Sequence, residues 1–254
     1  MSDDGTSRVD WALAWKPLFS PALAWEIVSI PSASGPKFEF EAIWVQDSKK
    51  TPDNSHDVIL WPHGGPHSQF TNQFSLALSF LVQSGFSLIL VNFRGSTGFG
   101  TDFLESLPGN IGSYDVEDCI SALQFIKTSK KMNVDHIHCF GGSHGGFLVT
   151  SLLGQFPDMF TRAAARNPVT NIAWNYGISD IPDWCAFESG LEFNPSEPPS
   201  DEMMKTMYKM SPISYSSRIK TPLMIMLGEI DKRVPPAQGV DLFRLLKARG
   251  VETR

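Results

Sequence analysis

A chain of 254 residues, 42% hydrophobic and 19% charged, is sized and composed for one large globular domain and excludes a disordered chain. A net charge of −6, with basic clusters only near residues 127–131 and 247–249, excludes a nucleic-acid-binding surface. Three widely spaced cysteines with no C-x-x-C pair exclude a disulfide framework and a metal site, and an acidic start with no apolar run of membrane-spanning length predicts a cytoplasmic protein without a membrane partner.

In chain order, residues 1–35 form an N-terminal extension of uncertain structure. Trp11, Trp15 and Trp25 stand among Pro17, Pro21 and Pro31, too apolar for a linker and too interrupted for one helix. The main domain is expected from residue 36 to residue 254. Phe38, Phe40, Ala42 and Trp44 alternate with polar neighbours, which predicts a half-buried strand. Residues 47–57 are polar and turn-rich, the composition of an exposed hairpin loop. Residues 58–61 and 87–91 are continuous apolar runs and read as buried strands, with a helix around 74–81 between them. A helix over 114–126, a third buried strand over 136–140, a helix over 145–155, a late strand over 223–227 and a helix over 236–249 follow. This alternation predicts an α/β fold with a mostly parallel, doubly wound sheet. Residues 167–212 break the rhythm and predict an insertion above the strand ends. The next strand of such a sheet should begin near Val251, where the sequence stops, so the late strand is expected to be an uncovered apolar edge.

The chemistry centres on Gly141-Gly142-Ser143-His144-Gly145, a G-x-S-x-G turn between a strand and a helix. Such an elbow lifts a serine hydroxyl clear of the sheet, and its glycines let the backbone pass. His63-Gly64-Gly65-Pro66 follows an earlier strand, where close backbone approach can aim N–H donors at a developing oxyanion. The N–H of the residue after the serine, His144, would complete the hole. Asp231 stands at the end of the late strand, where catalytic residues of open α/β sheets gather, with Glu229 a rival in the same loop. The Asn92-Phe93-Arg94-Gly95-Ser96 loop could bind substrate carbonyls or brace the oxyanion loop, and bracing is the favoured expectation.

No histidine follows His144. His63 and His67 flank the glycine loop and read as loop braces; His136 and His138 read as core or strand-end residues; His56 falls in the polar loop. His144 should point away from the serine, so none offers an imidazole with an acid behind it.

Five segments carry a family resemblance: His63-Gly64-Gly65-Pro66-His67, residues 94–100, residues 141–147, Ala165-Arg166-Asn167-Pro168-Val169 and Asp180-Ile181-Pro182-Asp183-Trp184-Cys185. From about Phe38 onward the chain resembles the acylaminoacyl-peptidase branch of the prolyl oligopeptidase family of serine peptidases. The resemblance implies an α/β-hydrolase fold lacking its last strand and helix. It also implies cleavage of N-acylated amino acids from blocked peptides through an acyl-enzyme, with no cofactor and no metal, and it leaves room for a homo-oligomer. By that pattern Ser143 is the nucleophile, Asp231 the acid, and Gly65 and His144 the oxyanion donors. The family's histidine would fall beyond Arg254, so a chain of this extent is expected to be inactive alone; the family's preceding β-propeller is absent, which bears on the size selection of peptides. The alternatives are a catalytically silent peptide-binding or subunit-association module and a small-molecule esterase of the same fold.

Overall fold

The computed structural model describes residues 23–254. Seven strands form one sheet in the order β1-β2-β4-β3-β5-β6-β7. They are β1 (Leu23–Pro31), β2 (Glu39–Asp47), β3 (Ser55–Pro62), β4 (Phe86–Asn92), β5 (Asn133–Gly142), β6 (Arg162–Arg166) and β7 (Leu223–Met226). The first three in the order pair antiparallel, and every pairing from β4 to β7 is parallel. The chain therefore has the mostly parallel sheet that its alternating pattern predicts.

Period-two alternation divides the core between the two faces of the central strands. Leu60, Ile89 and Val91 point into one cluster with Phe40, Cys119, Leu123, Leu148 and Leu152. Their neighbours Ile59, Leu88 and Leu90 point into a second cluster with Ile43, Val45 and Val82. Helices α3 (Tyr114–Ser129) and α4 (His144–Gln155) supply the first cluster, and α1 (Leu76–Gln83) supplies the second through Val82. Because β4 is covered on both sides, every residue from Ser87 to Asn92 is buried.

Several expectations are corrected. The residues 1–35 set apart as an extension include β1, whose Ile27 pairs with Ile43, so an antiparallel strand precedes the expected domain start; the expectation for residues 1–22 lies outside the described residues. The polar stretch after β2 is not a hairpin loop, since β4 lies between β2 and β3. β2 is buried on both faces through Ala42 to Val45, not half-buried.

The strands over 136–140 and 223–227 are less buried than continuous apolar runs suggest. On one face a groove of about 590 Å³ lies over Phe86, Phe140, Ala164 and Met224, and Met224 is 47% exposed. The edge of β7 is nevertheless paired: Leu223 N donates to Glu252 O (3.0 Å), Arg254 N to Leu223 O (3.1 Å) and Ile225 N to Arg254 O (2.8 Å). Residues 252–254 thus run alongside β7 in the position expected for the next strand, and the β7 edge is not uncovered.

The expected insertion contains α5 (Ile172–Ile178), α6 (Pro182–Glu188), α7 (Asp201–Met210) and a 3₁₀ helix (Pro212–Arg218). Helix α2 (Thr101–Glu105) and α8 (Ala237–Ala248) complete the described elements.

Candidate active site

Ser143 sits between β5 and α4 with φ 58° and ψ −121°, a conformation that L residues rarely adopt. Its N–H donates to Arg166 O (2.9 Å) and its carbonyl accepts from Phe147 N (3.0 Å), so the strained turn is fixed from both sides. The flanking glycines are sterically required. A Cβ on Gly141 would lie 2.4 Å from Gly145 O, and one on Gly145 would lie 2.5 Å from Pro62 O. The elbow therefore touches the end of β3, where the His63-Gly64-Gly65-Pro66 loop begins. A Cβ on Gly64 would be 3.5 Å from Ser143 Cβ. Gly65, with φ 123°, follows directly.

His144 is fully buried beneath the elbow, with Nε2 2.9 Å from Asp115 Oδ2. Its ring stacks on Phe147 at 5.0 Å, and Trp184 meets it edge-on at 6.0 Å. The side chain thus points into the core and leaves the backbone N–H at the start of α4, where helix N–H groups are unpaired. Asp115 was not singled out in the sequence. It caps the preceding turn by accepting from Gly112 N (2.7 Å) and Val116 N (2.9 Å), roles that need the fold to become visible.

Asp231 lies in the loop after β7. Its Oδ1 accepts from the N–H groups of Arg233 and Val234, both at 2.9 Å, and its Oδ2 accepts from the Asn167 side chain. Asn167 directly follows β6, has φ 41°, and also accepts from Gly228 N through Oδ1 (2.8 Å). It therefore locks the Asp231 loop to the sheet. The sequence offers one cue to this role, a polar residue before proline at a strand end. Glu229 is exposed and makes no hydrogen bond or ion pair among the described residues. Asp231 is thus the built-in carboxylate of this loop, and neither Lys232 nor Arg233 pairs with it through a side chain.

The loop after β4 braces the site, as expected. Fully buried Arg94 donates through Nε and Nη2 to Asp118 (2.9 and 2.8 Å) and through Nη1 to Ser34 O (2.7 Å), with its guanidinium 4.2 Å from the Tyr114 ring centre. Ser96 then presents its hydroxyl to His63 Nε2 at 2.8 Å.

None of the six histidines has Ser143 or Asp231 as a hydrogen-bond partner. His63 and His67 brace the loop. His136 is exposed and pairs with Asp57 (2.8 Å), while His138 lines the open groove. His56 departs from its expected place in a polar loop: it is buried at the start of β3, bonded to Ser87 Oγ and Thr51 O, both at 3.0 Å.

Burial pushes the His63 imidazole down to about 4, outweighing the raising effect of the Gly64 carbonyl. The folded state therefore takes up this proton less readily than the unfolded chain, whose histidine titrates near 6.5. The stability from neutral His63 is intact above 6.5 and is lost as pH falls through that value toward 4. We expect this residue to cost about 2 kcal/mol between pH 7 and pH 5. Urea unfolding of wild type and His63→Asn at the two pH values checks this, because the variant should lose distinctly less stability on acidification.

Residues 72–254 match the model of the prolyl oligopeptidase family, Peptidase_S9. The chain belongs to the prolyl oligopeptidase family. Family members that resemble it include the acylamino-acid-releasing enzyme of Sus scrofa, 43% identical over 216 residues, covering 85% of this chain and 30% of that one. The Arabidopsis thaliana acylamino-acid-releasing enzyme is 46% identical over 229 residues, covering 89% of this chain and 30% of that one. The chain thus spans under a third of the length of these relatives. Among solved structures, the Pyrococcus horikoshii acylaminoacyl peptidase superposes with a TM-score of 0.81 over 95% of this chain and 37% of that one, at 24% identity, which speaks to the fold. That family fold is the α/β-hydrolase fold, and its members are serine peptidases.

Proposed function

We propose that this chain is the catalytic region of a peptidase that releases N-acylated amino acids from blocked peptides. Ser143 attacks the scissile carbonyl, and the N–H groups of Gly65 and His144 receive the oxyanion. Asp231 orients a histidine that the 254 residues do not place at the site. The observation that carries this reading is the strained Ser143 elbow pressed against the glycine loop, with Asp231 fixed by Asn167 at the neighbouring strand end. The similarity to acylamino-acid-releasing enzymes supports the choice of substrate class.

On this reading the 254-residue chain is inactive alone, because no imidazole activates Ser143. That same observation favours a second reading, a catalytically silent module that holds blocked peptides or associates with longer subunits. A cytoplasmic location is part of the proposal, supported by three cysteines that are free and buried.

The test extends the chain with a C-terminal segment that supplies a histidine between Ser143 and Asp231. The extended protein should hydrolyse an N-acetyl-amino-acid anilide and leave the free-amino counterpart nearly untouched. Equal cleavage of both would remove the acyl preference and keep the hydrolase. No cleavage of either, with acetylated peptide still bound, would favour the silent module.

A further inference from the structure

We propose that Glu188 and His67 form a positioning pair that clamps the Gly64-Gly65-Pro66 loop against α6 and so sets the direction of the Gly65 N–H. The proposal rests on the reading of Gly65 as an oxyanion donor.

Helix α6 grips this loop at two points. Trp184 Nε1 donates to Gly65 O at 3.2 Å, and Glu188 Oε1 lies 3.1 Å from His67 Nε2. Between these points the backbone is tight: a Cβ on Gly65 would lie 2.7 Å from His67 N. A shift of His67 must therefore be felt at Gly65. The anchors are themselves secured. Gly109 N donates to Glu188 O (2.9 Å), Ser68 N donates to Pro66 O (2.9 Å), and Thr97 N donates to Ser68 O (2.9 Å).

The proton positions follow from the partners. His67 Nδ1 lies 2.8 Å from Gly95 O, an acceptor only, so Nδ1 must carry a proton. In a neutral ring Nε2 would then turn a lone pair toward the Glu188 carboxylate. The contact is favourable when Nε2 is protonated as well, making His67 an imidazolium paired with a carboxylate. Glu188 is 1% exposed and its Oε2 has no hydrogen-bond partner among the described residues. A carboxylate buried to this degree depends on its cation. Asp183 and Glu192 line the same recess, with no lysine or arginine among its lining residues, and His63 is the nearby titratable group on the loop side.

The Glu188 carboxylate facing Nε2 at 3.1 Å, and after it the Gly95 carbonyl, raises the His67 pKa above its usual value against the lowering effect of partial burial. The clamp is thus fully formed below the ordinary histidine value and loosens as pH rises through the raised one. Because the pair moves a backbone donor and touches no reacting atom, its signature is a pH-dependent displacement at Gly65.

The experiment is a ¹H–¹⁵N correlation series on the full 254-residue chain from about pH 5 to about pH 9, with His67 Cε1–H followed in parallel. In wild type the Gly65 amide should move with the same midpoint as His67. In Glu188→Gln the His67 midpoint should fall and the Gly65 amide should stop following it. A Gly65 amide that stays silent through the wild-type His67 titration overturns the proposal, as does one that behaves identically in wild type and variant. Should Glu188→Gln fail to fold, His67→Gln takes its place: it keeps a donor for Gly95 without titrating in this range. Loss of the Gly65 titration in that variant supports the clamp, and its persistence overturns it. Neither readout uses turnover. A clamp seen here in an enzyme that hydrolyses no acylated substrate would leave the positioning pair in place and remove the acyl-transfer reading.

Discussion

Replacing Arg94 with methionine should destabilise the protein by about 3–5 kcal/mol, the range for removing one partner of a buried ion pair. Arg94 and Asp118 are both fully buried, and the guanidinium also satisfies the carbonyls of Ser34 and Tyr114. Methionine keeps much of the volume and none of the donors. The Ser34 and Tyr114 carbonyls would each lose this donor, and Asp118 would lose its cation. Burial already pushes the Asp118 carboxyl above its ordinary range, against the opposing pull of Arg94. Without the arginine that carboxyl would be pushed further up toward its neutral form, and this limits the loss. The double variant Arg94→Met/Asp118→Leu should recover part of the stability, since the buried acid is gone, although the Arg94 N–H that donates to Asp118 (2.8 Å) would stay orphaned. Urea denaturation of wild type and the two variants measures this. A single-variant loss under about 1 kcal/mol would show that the pair does not hold the loop.

The consequence reaches the site through a short path. Arg94 fixes the turn at Gly95, where a Cβ would lie 2.4 Å from Leu107 Cδ2. That turn presents Ser96 to His63 and the Gly95 carbonyl to His67. The glycine loop beside Ser143 is therefore held by the loop after β4 and by helix α6. Such a site depends on the fold as a whole.

What the sequence made legible follows from the range of the forces involved. The buried central strands β3 and β4, the helices α3 and α4 and the serine elbow are readable because each has a local signature, an apolar run or a glycine that only close backbone packing requires. The Arg94 brace was legible as a glycine turn, but its partners Asp118 and Ser34 were not, because a buried ion pair leaves no mark in local spacing. Asp115 was invisible for the same reason, its partner His144 lying 29 residues away, and Asn167 showed only its place before a proline, its partner Asp231 lying 64 residues away. β1 was missed because Trp25 and Ile27 lie exposed on an edge strand, so its pattern lacks the clean alternation of a half-buried strand. The order β2-β4-β3 was hidden as well: a polar connection reads as a hairpin unless the strand inserted between its ends is known.

The largest expected effects concern Ser143 and Asp231, the nucleophile and acid of the proposed function. The 254-residue chain should label slowly with a fluorophosphonate, since a serine hydroxyl without a base is a weak nucleophile. Rapid stoichiometric labelling at Ser143 would mean that one of the six histidines moves to the site in solution, contrary to the places they hold here. In the chain extended to supply a histidine, Ser143→Ala should abolish labelling and nearly all hydrolysis. Asp231→Asn should lower kcat by roughly 10⁴-fold with little change in KM, because the imidazole loses its orienting carboxylate while the substrate contacts remain. The surroundings of Asp231 make this variant informative. Its Oδ1 accepts from two backbone N–H groups, a bond pattern that an asparagine carbonyl can keep, so the loop should stay in place. The other oxygen, which accepts from Asn167, would become an amide nitrogen facing another amide. That exchange should cost some stability, and a melt measured alongside the kinetics separates it from the chemical defect. Glu229→Gln is the control. Exposed and unpaired, Glu229 should leave kcat and melting unchanged. If its loss instead removed activity while Asp231→Asn did not, the acid of this site would be Glu229, and the contacts that fix Asp231 would be structural.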